Sequence, residues 1–245
     1  MKALIIANWK CNPTTQKEAK EIFDAVKKGA RTVKDAEIVI CPPFLYLPLL
    51  KGLTLGAQNI FWEDKGAFTG EISGVMLKDF KVEYVIIGHS ERRKYFNETD
   101  QVINKKLKIA ISANLKPIFC VGETLEEMQG EKKSEVLERQ ITEGLKNISR
   151  ENVKNIIIAY EPVWAIGTGQ NCSVDQTMSS ILLIRKIIFK LYNRELADNI
   201  KIIYGGSVNS KNSGEYIKNA GVNGLLVGGA SLNAEEFIKI VKSAG

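Results

Sequence analysis

The feature that most constrains this chain is an alternation of eight short apolar runs with segments whose apolar residues recur at helical spacing. The first run, Leu4 to Ala7, precedes a segment with Ala19, Ile22, Phe23 and Val26 at the i, i+3, i+4, i+7 positions of one helix face. Thr15 and Glu18 read as its capping box. The later runs are Ile38 to Cys41, Leu53 to Ala57, Tyr84 to Gly88, Pro117 to Val121, Ile156 to Tyr160, Ile200 to Tyr204 and Gly224 to Val227. Helical patterns between and after them carry Ile103, Leu107 and Ala110; Val136, Leu137, Gln140 and Ile141; Ile181, Ile184, Ile188 and Leu191; and Phe237, Ile240, Val241 and Ala244, with Asn233 as an N-cap. The second run is followed by the turn at Pro42 and Pro43 and a short apolar helix through Leu50. Runs this short and this apolar are strands buried on both faces, as in a parallel sheet covered by helices. The expectation is an α/β protein, a single (β/α)8 barrel domain over residues 1–245, with a doubly wound open sheet as the alternative.

Composition narrows the class. A chain of 245 residues is long enough for two domains, yet barrels of about 250 residues fold as one. The net charge of +6 raises nucleic acid as a partner, but lysine pairs such as Lys27 and Lys28, or Lys132 and Lys133, lie on helical stretches with acidic neighbours. Solvated helix faces account for them, and a modest positive field suits a small anionic substrate. No run reaches the roughly 20 apolar residues of a membrane span, and Ala3 to Ala7 is too short for a signal-peptide core. The expected location is cytoplasmic, with neither a membrane nor nucleic acid as partner. Cys11, Cys41, Cys120 and Cys172 form no CxxC pair, which argues against a metal site and fits a reducing compartment.

In a parallel barrel every strand's C-terminal end reaches one face, where the active sites of this architecture lie. The residues just after the strand ends are Asn8, Trp9 and Lys10; His89, Ser90 and Glu91; Glu161; Gly205, Gly206 and Ser207; and Gly228 and Gly229. Singly each is weak: a lone histidine is somewhat more often structural than catalytic, a lone carboxylate is about as often structural as functional, and a lone lysine is more often solvated or ion-paired. Together they bring a base, a hydrogen-bond donor and a cation to one mouth. Two glycine pairs after adjacent strands, the second leading into Ala230, Ser231 and Leu232 as a short extra helix, point to a phosphate site. Glu161 precedes Pro162, which biases it towards extended backbone at the strand tip. Pro162, Val163 and Trp164 form a stiff base, and Ala165, Ile166, Gly167, Thr168 and Gly169 a small tip, the make-up of a lid.

Seven stretches make the chain resemble the triosephosphate isomerase family over essentially its whole length: NWK from Asn8, GAFTGE from Gly66, GHSERR from Gly88, CVGETLEE from Cys120, AYEPVWAIGTG from Ala159, YGGSV from Tyr204 and LVGGASL from Leu226. The resemblance implies a cofactor-free isomerase of triose phosphates, acting in glycolysis and gluconeogenesis. Glu161 matches the family's catalytic base and His89 its electrophile, while Lys10 and Asn8 match groups that bind substrate and stabilise the oxyanion. The pairing of a glutamate base with a neutral histidine is a known property of this family, not a deduction from the spacing. Ser90 and Glu91 match supporting residues, Glu91 by pairing with Lys10. Gly167, Ser207, Gly228 and Gly229 match the backbone phosphate grip, and Pro162 to Gly169 the closing lid. The chain departs from the family at Gln170, Asn171 and Cys172, where a lysine and small residues are usual. The long third loop implies a homodimer in which Cys11, Phe68, Thr69, Gly70 and Glu71 meet the partner subunit. A Schiff-base aldolase and a non-catalytic phosphosugar-binding protein are the competing readings.

Overall fold

The computed structural model describes residues 2–167 and 171–244. Its strands are β1 (Ala3–Asn8), β2 (Ala36–Cys41), β3 (Thr54–Ala57), β4 (Tyr84–Ile87), β5 (Lys116–Val121), β6 (Ile157–Tyr160), β7 (Lys201–Tyr204) and β8 (Gly224–Val227). Each hydrogen-bonds to the next in parallel, and β1 pairs with β8, with Ile5 opposite Leu225, to close the barrel. The helices between them are α1 (Gln16–Ala30), α2 (Gly74–Asp79), α3 (Ser90–Phe96), α4 (Asp100–Ser112), α5 (Leu125–Gln129), α6 (Lys133–Gly144), α7 (Arg150–Val153), α8 (Val174–Leu191), α9 (Arg194–Asn199), α10 (Ser213–Asn219) and α11 (Ala234–Ser243). Three 3-10 turns, Phe44–Leu49, Val163–Ala165 and Gly229–Leu232, complete the described residues.

Period-2 alternation divides each strand between two cores. Leu4, Ile6, Val39, Ile86, Ile118, Cys120, Ile157, Ala159, Ile203 and Leu226 fill the barrel interior. Ile5, Ile40, Val85, Phe119, Ile158, Ile202 and Leu225 face outward, in one cluster with Phe23, Leu107, Ile141, Ile184 and Phe237 of the helices. Both faces are therefore apolar, which is why the runs show no polar alternation. Extending the inward parity past the strand ends brings Asn8, Gly122, Glu161, Gly205 and Gly228 to the barrel mouth. Three of these five have no side chain, so Asn8 and Glu161 have the space to themselves.

The barrel expectation holds, and the open-sheet alternative falls with the β1 to β8 pairing. Some local expectations change. The helical pattern after β4 is two helices: α3 ends at Asn97, which takes a left-handed φ of 52°, and Thr99 caps α4 by accepting the Val102 N–H at 3.3 Å. Thr15 makes only its own half of the expected box, accepting the Glu18 N–H at 3.2 Å. Reciprocal boxes occur instead at Thr124 with Glu127 and at Ser173 with Gln176. Leu191, expected on the buried face of α8, is 39 % exposed because the helix ends there, beyond the barrel wall. The third loop is not bare chain, since α2 lies in it, capped by Ser73.

Candidate active site

β1 delivers Asn8, and two residues later Lys10 adopts φ = 54°, a left-handed conformation that a side chain with a Cβ disfavours. Two contacts hold it there. The Lys10 N–H donates to Asn8 Oδ1 at 3.0 Å, and the Lys10 carbonyl accepts from Gln58 Nε2 at 2.8 Å. Gln58 also donates to the Cys41 carbonyl at 2.9 Å, so the end of β2 braces the lysine through one amide. The Lys10 ammonium then reaches Glu91 Oε1 at 2.6 Å, the pairing expected from the sequence.

His89 caps α3, its Nδ1 accepting the Glu91 N–H at 3.2 Å. An acceptor at Nδ1 places the ring hydrogen on Nε2. That Nε2 lies 3.3 Å from Glu161 Oε1. Glu161 is only 2 % exposed, and burial of a carboxylate is costly without donors. Its Oε2 accepts the Ser90 backbone N–H at 3.0 Å, whereas Oε1 accepts no hydrogen bond among the described residues and faces His89. Beneath it, burial first and then the Glu161 charge push the Cys120 thiol well above its ordinary pKa, so a neutral thiol lies beside the carboxylate.

The tip of β6 is fixed by residues that sequence reasoning did not single out. A Cβ on Gly122 would come within 1.7 Å of the Glu161 carbonyl oxygen, so only glycine permits this approach of β5 to β6. Gln140, expected on a core face of α6, turns its amide inward, accepting the Gly122 N–H at 2.8 Å and donating to the Gly122 carbonyl at 3.2 Å. Glu123 is completely buried and accepts from the Tyr160 hydroxyl at 3.0 Å and from Trp164 Nε1 at 3.0 Å. Its carbonyl also accepts the Val163 N–H at 3.0 Å, which ties the turn Val163–Ala165 to β5. Glu123 lies inside a quoted motif, and a carboxylate at a strand end was the available signal. Nothing marked Gln58 or Gln140.

These groups surround a cavity of about 350 Å3 lined by Asn8, Lys10, His89 and Glu161 on one side and by Ile166, Gly167, Gly205, Gly206, Ser207, Gly228 and Gly229 on the other. Gly167 has φ = 71° and is exposed. Thr168 and Gly169 of the expected lid, and Gln170 after it, lie outside the described residues. A larger opening of about 1050 Å3 lies at the opposite end of the barrel, among Lys2, Ala36, Glu37, Thr54 and Glu83, where the strands begin. Among the described residues no group of three or more His, Cys, Asp and Glu side chains is placed to hold a metal ion. No helix among them is long and apolar enough to cross a membrane.

Residues 3–244 match the triosephosphate isomerase family model. The chain belongs to the triosephosphate isomerase family. It is 51 % identical to a triosephosphate isomerase of Dictyoglomus thermophilum, with 98 % of each chain covered. It is 46 % identical to one of Clostridium tetani over 98 % of this chain and 96 % of that one. Of the residues that the family resemblance singled out, the structure gathers Asn8, Lys10, His89, Glu161, Gly167, Ser207, Gly228 and Gly229 around one cavity. Ser90 and Glu91 stand behind them, in contact with Glu161 and Lys10. Cys11, Phe68, Thr69, Gly70 and Glu71 are exposed, and Phe68 packs on Phe61 with ring centroids 4.7 Å apart.

Proposed function

We propose that Glu161, His89, Lys10 and Asn8 carry out the family's reaction, the interconversion of dihydroxyacetone phosphate and D-glyceraldehyde 3-phosphate. The Glu161 carboxylate takes a proton from the carbon beside the carbonyl, the C–H electron pair becomes a C=C bond, and the carbonyl π pair moves to the oxygen, giving an enediolate. The His89 Nε2–H, the Lys10 ammonium and the Asn8 amide meet the developing oxyanion. His89 Nε2–H protonates the oxyanion and takes the proton of the neighbouring hydroxyl, whose freed electron pair forms the new carbonyl as the C=C pair takes the proton back from Glu161 at the adjacent carbon. The observation that carries this reading is the buried Glu161 Oε1 at the cavity wall, 3.3 Å from His89 Nε2, the ring nitrogen that the Nδ1 acceptor leaves as the donor. Lys10 Nζ lies 2.6 Å from Glu91 Oε1, an ion pair and not the apolar pocket that a Schiff-base lysine needs.

Backbone N–H groups of Gly167, Ser207, Gly228 and Gly229 supply the phosphate grip, and Pro162 to Gly169 closes over the substrate to keep water out and phosphate in. The enzyme works without a cofactor, in glycolysis and gluconeogenesis, as a cytoplasmic homodimer whose exposed Phe68 to Glu71 loop enters the partner near Lys10 and Cys11. A coupled assay with glyceraldehyde 3-phosphate tests the mechanism. Wild-type protein turns over, Glu161→Gln is inactive, and Glu161→Asp, which withdraws the carboxylate by about 1 Å, loses on the order of 10²-fold in kcat with its fold intact. Activity that survives in Glu161→Gln removes Glu161 from the mechanism.

A further inference from the structure

A single short helix holds both the phosphate loop and Cys172, three residues beyond the expected lid. Asn212, at the start of α10, and Tyr216 lie four residues apart and so share a face. Asn212 fixes the loop after β7, its Nδ2 donating to the Ser207 carbonyl at 3.2 Å and its Oδ1 accepting the Asn209 N–H at 2.8 Å. Tyr216 is 2 % exposed and donates its hydroxyl to the Cys172 carbonyl at 2.5 Å. Its ring stacks on Tyr204, the last residue of β7, with centroids 4.2 Å apart and planes inclined by 23°. The Tyr204 hydroxyl in turn sits directly beneath Gly206, where a Cβ would come within 2.2 Å of it.

Cys172 is fully buried and directly precedes Ser173, the N-cap of α8. It lies where the chain departs from the family's usual sequence, and its carbonyl receives a side-chain donor from a different element. A buried carbonyl that loses its donor is costly, so the Tyr216 hydroxyl fixes this point of the chain more firmly than packing alone. We propose that Tyr216 is a positioning residue for the isomerisation, holding the chain that follows the lid, at Cys172, in register with Ser207 of the phosphate grip and its neighbour Gly206. Through it, one helix sets the distance between Cys172 and Ser207. Tyr216 does not line the cavity and touches no reacting atom.

The proposal rests on the isomerase reading above, and its test separates the two. Tyr216→Phe keeps the ring stack and removes only the donor. Its kcat falls about tenfold while KM moves by less than about twofold, as expected when a lid closes out of register over a substrate that still binds. An ill-fitting lid also lets the enediolate expel its phosphate, so inorganic phosphate released per isomerisation rises severalfold. Tyr216→Leu, which loses the stack as well, shows the same kinetic changes with a lower Tm. A Tyr216→Phe protein with wild-type kcat and wild-type phosphate release overturns the proposal, whatever its Tm. So does a defect seen in Tyr216→Leu alone, because the ring and not the hydroxyl would then position the chain. An inactive wild-type protein would instead sink the isomerase reading itself.

Discussion

Lys106 is a lysine on an amphipathic helix, yet it is only 3 % exposed, because its ammonium reaches Asn59 Oδ1 at 2.7 Å and Glu98 Oε1 at 2.5 Å. Arg92, from the helix that His89 caps, bonds the same Glu98 oxygen. Burial opposes the charge on Glu98, but the Lys106 ammonium and the Arg92 guanidinium outweigh it and hold the carboxyl below its usual range. A depressed carboxylate pKa contributes stability that is fully present above the unfolded-state value and is lost as pH falls through the folded one. Glu98→Gln therefore has a shallower acid limb in a stability-against-pH profile. At pH 7 it is destabilised by about 3–5 kcal/mol, since Lys106 is left buried without its counter-ion. Urea titrations at pH 7 and across the acid range check both parts, and a variant as stable as wild type at pH 7 refutes them. Residues of this kind are hard to read in a sequence. Asn8, Lys10, His89 and Glu161 announce themselves by following strand ends, whereas Gln58, Lys106, Gln140 and Tyr216 act across 40 or more residues of chain or from ordinary helix positions.

Among the elements, the tip of β6 depends most on its neighbours. Gly122 at the end of β5 lets the Glu161 backbone come close, the Glu161 N–H donates to the Val121 carbonyl at 2.7 Å, and the Gln140 amide clamps Gly122 from behind. Gly122→Ala must push β6 outward, because the new methyl meets backbone and no flexible side chain can yield. The expected cost is about 1–3 kcal/mol of stability. A loss of kcat accompanies it, as the carboxylate leaves its place beside His89. Denaturant titration and the coupled assay read the two effects, and an alanine variant with wild-type kcat would show that β6 has room to move. Element existence was legible because apolar period is a local property. The break between α3 and α4 was less so, since it depends on one left-handed asparagine and a threonine cap within a pattern that continues on both sides.

For the whole molecule, the closed barrel makes the mouth one surface, and the homodimer proposed for it concerns what lies outside that surface. Leu45, Phe68, Met76, Tyr95 and Phe96 are large apolar side chains, each more than 40 % exposed, on or near the connections after β2, β3 and β4. Such residues on neighbouring loops of one end suit burial against a second copy. Light scattering on an active preparation should give twice the mass of the 27.2 kDa chain, and a monomer with full activity refutes the dimer.

The sequence by itself determined eight alternating strand and helix units with strands buried on both faces, because strand and helix periods are written in consecutive residues; the β1 to β8 pairing then decided the closed barrel over the open sheet. It also determined which residues reach the mouth, since the strand ends are local. Only the tertiary structure decided that Glu161 Oε1 faces His89 Nε2, that the His89 acceptor faces a backbone N–H, that Tyr216 holds the Cys172 carbonyl and that Glu123 holds Trp164. The physical reason is that hydrogen bonds have a range of about 3 Å and fixed directions. Which groups meet at that range is set by how strands and helices pack, and a one-dimensional pattern does not carry that information.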